Sequence, residues 1–289
     1  MSRTPSRAVR HADDDAHRGH AQLATLAPPT ALGDEVVARW QAAFAPAADA
    51  ERATFMAAYM KGHFAFLGIT SAPRRALARE ALAGLPVPDE EDVAAVAAGA
   101  WALEAREYQY AAADYAVRWV RRCSPAFLPV AQGLVTAKSW WDTVDLLAAR
   151  VVGPLVAATP ALRSEMDRWL VSDDLWLARS AILHQLKWKA DTDADWLFAA
   201  CLTRAADTEF FLRKAIGWAL REYSKTDAAA VRRFVSDHDA ELSGLSKREA
   251  LKWLERRAAR AETAVHAEVE ASSSGIPRPS TPPVDVVDQ

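Results

Sequence analysis

The chain has 289 residues, 51% of them hydrophobic and only 11 of them glycine, enough apolar material for one large domain or two small ones. Its net charge of −3 excludes a generic polyanion binder on totals alone, and residues 101–190, with 11 basic against 9 acidic side chains, tip only slightly the other way. Cys123 and Cys201 form no metal pattern and suit a reducing compartment; with no stretch as long as a membrane span and no signal-peptide core, a cytoplasmic protein is expected.

Residues 1–30 are polar and end in Pro28-Pro29, the composition of a disordered tail. His11, His17 and His20 lie there without cysteines or a packed surround, so no metal site is assigned to them. From Gly33 the pattern turns helical, with Val36, Val37, Trp40, Ala43 and Phe44 on one face. A second helix is expected over roughly 50–62, and Thr70-Ser71-Ala72-Pro73 gives a turn and the cap of a third. Arg74 and Arg75 open that third helix at its dipole-positive end, which fits either a solvated surface or a phosphate contact. Asp89 to Asp92 make an acidic first turn for an Ala-rich helix to about Leu103. Another helix covers Arg106 to Cys123, and Pro125 starts the next.

The stretch from Lys138 to Asp145 then places two indoles, Trp140 and Trp141, beside two carboxylates, Asp142 and Asp145. Trp141 and Asp145 are four apart and share a helix face. An aromatic plane next to a carboxylate is a seat for a cation. The alternative is a core tryptophan and an aspartate paired with a nearby arginine.

Further on, Trp176 to Ile182 lines up with Phe210 to Ile216 at a spacing of 34, and Asp145 lies 34 before Arg179. Such a period in helical sequence predicts an all-α fold, a curved solenoid of HEAT-like helix pairs. Equivalent helices would present Asp145, Arg179 and Arg213 to one concave side. Ser246, with Glu249 three residues on, predicts the capped start of a last helix that fades near Thr263. The expected organisation is a helical domain over 31–263, with a second disordered tail over 264–289.

Several of these segments together resemble the AlkD-like DNA alkylation repair family, helical-repeat glycosylases that release alkylated purines. They are Tyr59-Met60-Lys61-Gly62-His63-Phe64, Trp140 to Asp145, Trp176 to Ile182, Phe211 to Trp218, and Leu245 to Glu249. The resemblance implies that Asp145 is the catalytic carboxylate and that Trp141 and Trp218 face the lesion. Arg179 would hold a nearby phosphate or position Asp145, and Tyr59 would stand near the DNA groove. With alkylated duplex DNA as partner, Arg74, Arg75, Lys138, Arg213, Lys214, Lys247 and Arg248 are further candidate DNA contacts. No cofactor, metal or membrane enters this reading, and a monomer is expected.

The implied chemistry suits the residues. A purine alkylated at N3 or N7 is already cationic and leaves without a general acid. A carboxylate aimed at the sugar then stabilises the oxocarbenium-like charge that develops there. The rival reading is a helical scaffold that binds damaged DNA or a protein and catalyses nothing.

Overall fold

Apolar positions recurring every three to four residues, with turn clusters between them, build helices in the computed structural model, which describes Leu23 and residues 25–273. In chain order they are α1 Ala31–Phe44, α2 Ala50–Tyr59, α3 Ser71–Glu80, α4 Glu90–Ala102 and α5 Arg106–Trp119. Next come α6 Leu128–Thr136, α7 Trp141–Leu147, α8 Gly153–Ala158, α9 Arg163–Leu170 and α10 Leu175–Leu183. The series ends with α11 Ala194–Thr203, α12 Phe210–Tyr223, α13 Ala228–Asp237 and α14 Gly244–Ser273. The described residues contain no strand, so the class is all-α, as the periodicity implies.

One row of helices repeats: α3, α5, α7, α10, α12 and α14 begin at intervals of 34 or 35 residues. Each packs on the next member of the row. A second row, including α1, α4, α6, α9 and α13, covers their backs. The core between the rows holds Trp40, Phe44, Trp101, Leu134, Leu147, Met166, Ile182 and Leu212. Indole N–H groups join it to neighbouring backbone: Trp40 donates to the Ala78 carbonyl (3.1 Å) and Trp101 to that of Ala137 (2.9 Å).

The segment before α3 is held from below. Glu107, fully buried on α5, accepts backbone N–H bonds from Leu67 (3.0 Å), Gly68 (2.8 Å) and Ile69 (3.1 Å). Gly68 has φ 89° and presses on the Asp49 carbonyl, 2.1 Å from where a Cβ would stand, so no other residue fits. That loop carries the approach from Tyr59 to Phe64 towards α7.

Some boundaries differ from the sequence expectation, each for a local reason. α2 ends at Tyr59 rather than 62 because Lys61 (φ 57°) and Gly62 (φ 74°) are left-handed. The last helix begins at Gly244, where Ser243 Oγ accepts the Ser246 N–H at 3.0 Å. Ser246 therefore sits inside the first turn and donates to the Arg213 carbonyl (3.0 Å), while Glu249 faces Lys214 and Arg221 instead of closing a capping box. That helix continues past 263 to Ser273, since its Ala- and Glu-rich sequence meets no glycine or proline until Gly275. At the other end Leu23 and Ala27 are buried in the core, so packing begins ahead of residue 31. The rest of the expected tails, with His11, His17 and His20, lies outside the described residues. No described helix is long and apolar enough to cross a membrane.

At the end of α10, His184 is enclosed by Trp188 and Trp196 (ring centroids 5.2 and 4.9 Å), with Nδ1 2.6 Å from the Ala181 carbonyl. Burial pushes its pKa down to about 4, with Arg163 adding to the fall and Asp167 and the Ala181 carbonyl opposing it. The unfolded chain then binds more protons than the folded one between about pH 6.5 and 4. Stability should be complete above that window and drop by roughly 3 kcal/mol as pH falls through it. Urea titrations across the range should find this slope, and His184→Gln should flatten it.

Candidate functional site

The turn before α7 is set by Lys138, which is left-handed (φ 48°), and by an extended Trp140 (φ −160°) at the helix N-cap. The two indoles consequently part. Trp140 packs among His63 (4.1 Å), Phe211 (5.1 Å) and Trp176 (5.7 Å). Trp141 instead stands on the opening of a cleft, edge-on to Tyr59 at 6.3 Å. Tyr59 itself is 72% exposed.

The cleft is about 300 Å³ and is lined by Trp141, Asp145, Ala149, Arg150, Leu186, Lys187, Trp218 and Glu222, among others. Asp145 follows Trp141 by one turn, and Trp218 comes from α12, the second inner helix along. The residues singled out in sequence thus converge: Trp141, Asp145 and Trp218 line one cleft, and Arg179 is paired with Asp145.

Arg179 grips the carboxylate with both edges of its fork. Its Nε donates to Asp145 Oδ1 at 2.7 Å and one terminal nitrogen to Oδ2 at 2.9 Å, while the other terminal nitrogen donates to the Phe211 carbonyl. It is 3% exposed, so of its two expected roles the geometry leaves positioning Asp145 and not holding a phosphate. Burial pushes the Asp145 carboxyl above the usual carboxylate range, and the two Arg179 hydrogen bonds pull against that. With a donor on each oxygen, we take the group as ionised. Asp145 thus lines the aromatic cleft and is paired with an arginine at the same time.

Asp142 has the opposite orientation. It accepts from Arg106, fully buried on α5, at 2.6 and 3.0 Å, and from the Tyr110 hydroxyl at 2.6 Å. The Arg106 guanidinium also lies 3.8 Å over the Phe64 ring. One carboxylate of α7 is thus tied back to α5 and the other forward to α10.

Most of the basic candidates are tied internally. Arg74, 4% exposed, pairs with Asp114 (3.0 Å), and Lys138 turns inward to the Leu103 carbonyl, where burial lowers its pKa; both are corrected from DNA contacts to structural cations. Arg213 donates to the Asp207 carbonyl (2.7 Å), Lys214 pairs with Glu249 (2.9 Å) and Lys247 with Asp239 (2.6 Å). Arg75 shares Asp114 at 3.2 Å but stays exposed, as does Arg248. Arg150, Lys187 and Glu222 reach the cleft without having been singled out. Arg150 lies four after Leu146 and eight after Asp142, both of which also line the cleft, so it continues the cleft-facing stripe of α7 just past that helix's end. Glu222, four after Trp218, carried a similar spacing signal.

The sequence profile of the family described as DNA alkylation repair enzyme matches residues 40–254. A solved structure, described as a predicted DNA alkylation repair enzyme from Enterococcus faecalis, is similar at 33% identity and TM-score 0.66, over 72% of this chain and 96% of that one. No curated protein matches the chain.

Removing Arg179 should strand a buried carboxylate. Arg179→Ala is expected to cost about 3–5 kcal/mol in urea unfolding, as for other broken buried pairs. Adding Asp145→Ala should recover part of that loss, and Arg75→Ala, at an exposed pair, should change stability little.

Proposed function

Because this chain belongs to the DNA alkylation repair enzyme family, we propose that it is an AlkD-like glycosylase that hydrolyses the N-glycosidic bond of cationic N3- or N7-alkylated purines in duplex DNA. The observation that carries the reading is Asp145 held by the Arg179 fork in a cleft lined by Trp141 and Trp218.

We take the fork to hold Asp145 ionised against the burial that raises its pKa, and the chemistry follows from that. A carboxylate already accepting two guanidinium N–H bonds has no proton to give a departing base. The leaving group must bring its own positive charge, which alkylation at N3 or N7 supplies. As the C1′–N bond lengthens, positive charge grows on the deoxyribose and Asp145 stabilises it in place. The same carboxylate orients the water that attacks C1′. The Trp141 and Trp218 faces attract the cationic base and the polarised sugar C–H groups. An open cleft of this size takes a lesion at the surface of the duplex rather than fully extruded into a deep pocket. One chain supplies all these groups, so a cytoplasmic monomer acting on DNA suffices, at the base-removal step of base excision repair.

Base release from methylated duplex should be measured for wild type and variants. Wild type should free 3-methyladenine or 7-methylguanine and leave uracil and hypoxanthine in place. Asp145→Asn should bind methylated duplex within a few-fold of wild type while losing at least about 100-fold in turnover, the scale of removing one preorganised electrostatic group. Efficient uracil excision, or full activity in Asp145→Asn, contradicts the mechanism. Binding without any release by wild type would favour the scaffold reading.

A further inference from the structure

The charges around the cleft do not cancel. Each carboxylate that lines it has a cation of its own: Asp145 has Arg179 (2.7 Å), Asp142 has Arg106 (2.6 Å) and Glu222 has Lys225 (2.5 Å). Two further charged side chains line the same cleft, and both are cationic. Arg150 and Lys187 are exposed, and neither forms an ion pair or side-chain hydrogen bond with any described residue. This contrasts with Arg74, Lys138, Arg213, Lys214 and Lys247, all committed to partners inside the protein. The cleft therefore carries two uncompensated positive charges at its edge.

Their position is built by backbone. Arg150 follows Asp142 and Leu146 at intervals of four residues, so it continues the stripe of side chains that lines the cleft. Three residues on, Gly153 lies against the backbone of His184, whose oxygen would be 2.2 Å from a Cβ at that position. This contact seats the start of α8 on the end of α10, and Lys187 follows His184 by three residues. Both cations are thus carried on one tightly packed junction next to the indoles. Two cations on one cleft with no carboxylate left over to neutralise them favour an anion beside them.

We propose that Arg150 and Lys187 form a phosphate clamp that takes the backbone phosphodiesters flanking the reacting nucleotide. The inference rests on the DNA-acting reading above for the identity of its anion. A nucleotide offers a base and sugar to the indoles and Asp145, and its phosphates lie at the edge where the free cations stand. The clamp would hold the lesioned strand in register without reading sequence, and would offset the net positive charge that otherwise disfavours a cationic base in the cleft.

The test uses the full chain and an undamaged duplex, so it does not depend on base release. Affinity is measured by fluorescence anisotropy as salt is raised from about 50 to about 200 mM, for wild type and for Arg150→Gln/Lys187→Gln. Losing two phosphate contacts should make the slope of log K against log salt shallower by about 1.8. Over that salt range the variant should lose about tenfold less affinity than wild type does. An unchanged slope overturns the clamp while leaving the glycosylase reading standing. The expected change in slope from a protein that releases no base upholds the clamp and sinks that reading. Absence of duplex binding by wild type overturns both. Should the double variant melt early by circular dichroism, each single variant is measured instead and should lower the slope by about 0.9.

Discussion

The structure depends on guanidinium-to-carboxylate forks that run from one inner helix to the next. Arg106 on α5 holds Asp142 on α7, and Asp145 on α7 is held by Arg179 on α10. Glu249 on α14 continues the series by accepting from Lys214 and Arg221 on α12, and Lys214 leads in holding its carboxyl below the usual range. Taking such charges out of water offsets much of their attraction, so they add little net stability over apolar packing. Their effect is registry. A planar fork with two donors meets a carboxylate in one geometry, and a slip of a helix by one residue would leave a buried charge alone.

The same constraint shapes the chemistry. α7 is tied on both sides through carboxylates only three residues apart, so it cannot rotate, and Asp145 enters the cleft at a fixed angle. A preorganised negative group is worth more to a developing cation than one that must first turn towards it. The aromatic cluster behind it, in which Trp140, Trp176 and Phe211 meet at 5.1 to 5.7 Å, backs the N-terminal end of α7 with rigid rings. On the proposed reading, the surface offered to DNA is made of what these ties leave free: Tyr59, Trp141, Trp218 and the unpaired cations.

Much of this was legible because helical geometry is local. Four residues between Trp141 and Asp145 put them on one face, and 34 between Asp145 and Arg179 placed them on neighbouring helices of a row. That same spacing pointed to Trp141 as the cleft-facing indole, but the left-handed Lys138 and extended Trp140 that turn the other indole away were not legible. Nor was the state of the basic residues. Arg74 looked like a surface cation, and its partner Asp114 lies 40 residues away, a pairing that only the fold reveals. Arg150 sits at helical spacing from Asp142 and Leu146, but that it would be left without a partner at the cleft was not legible, because only the fold shows which cations are paired.

The central claim is that an ionised Asp145, fixed by Arg179, stabilises positive charge on the sugar. It is tested most directly with two duplexes that differ only at one residue, a cationic azasugar in one and the neutral tetrahydrofuran abasic analogue in the other. Wild type should bind the cationic duplex at least about tenfold more tightly, worth about 1.4 kcal/mol, and Asp145→Asn should lose that preference. Equal affinity of wild type for the two duplexes, or a preference that survives in Asp145→Asn, would contradict the account.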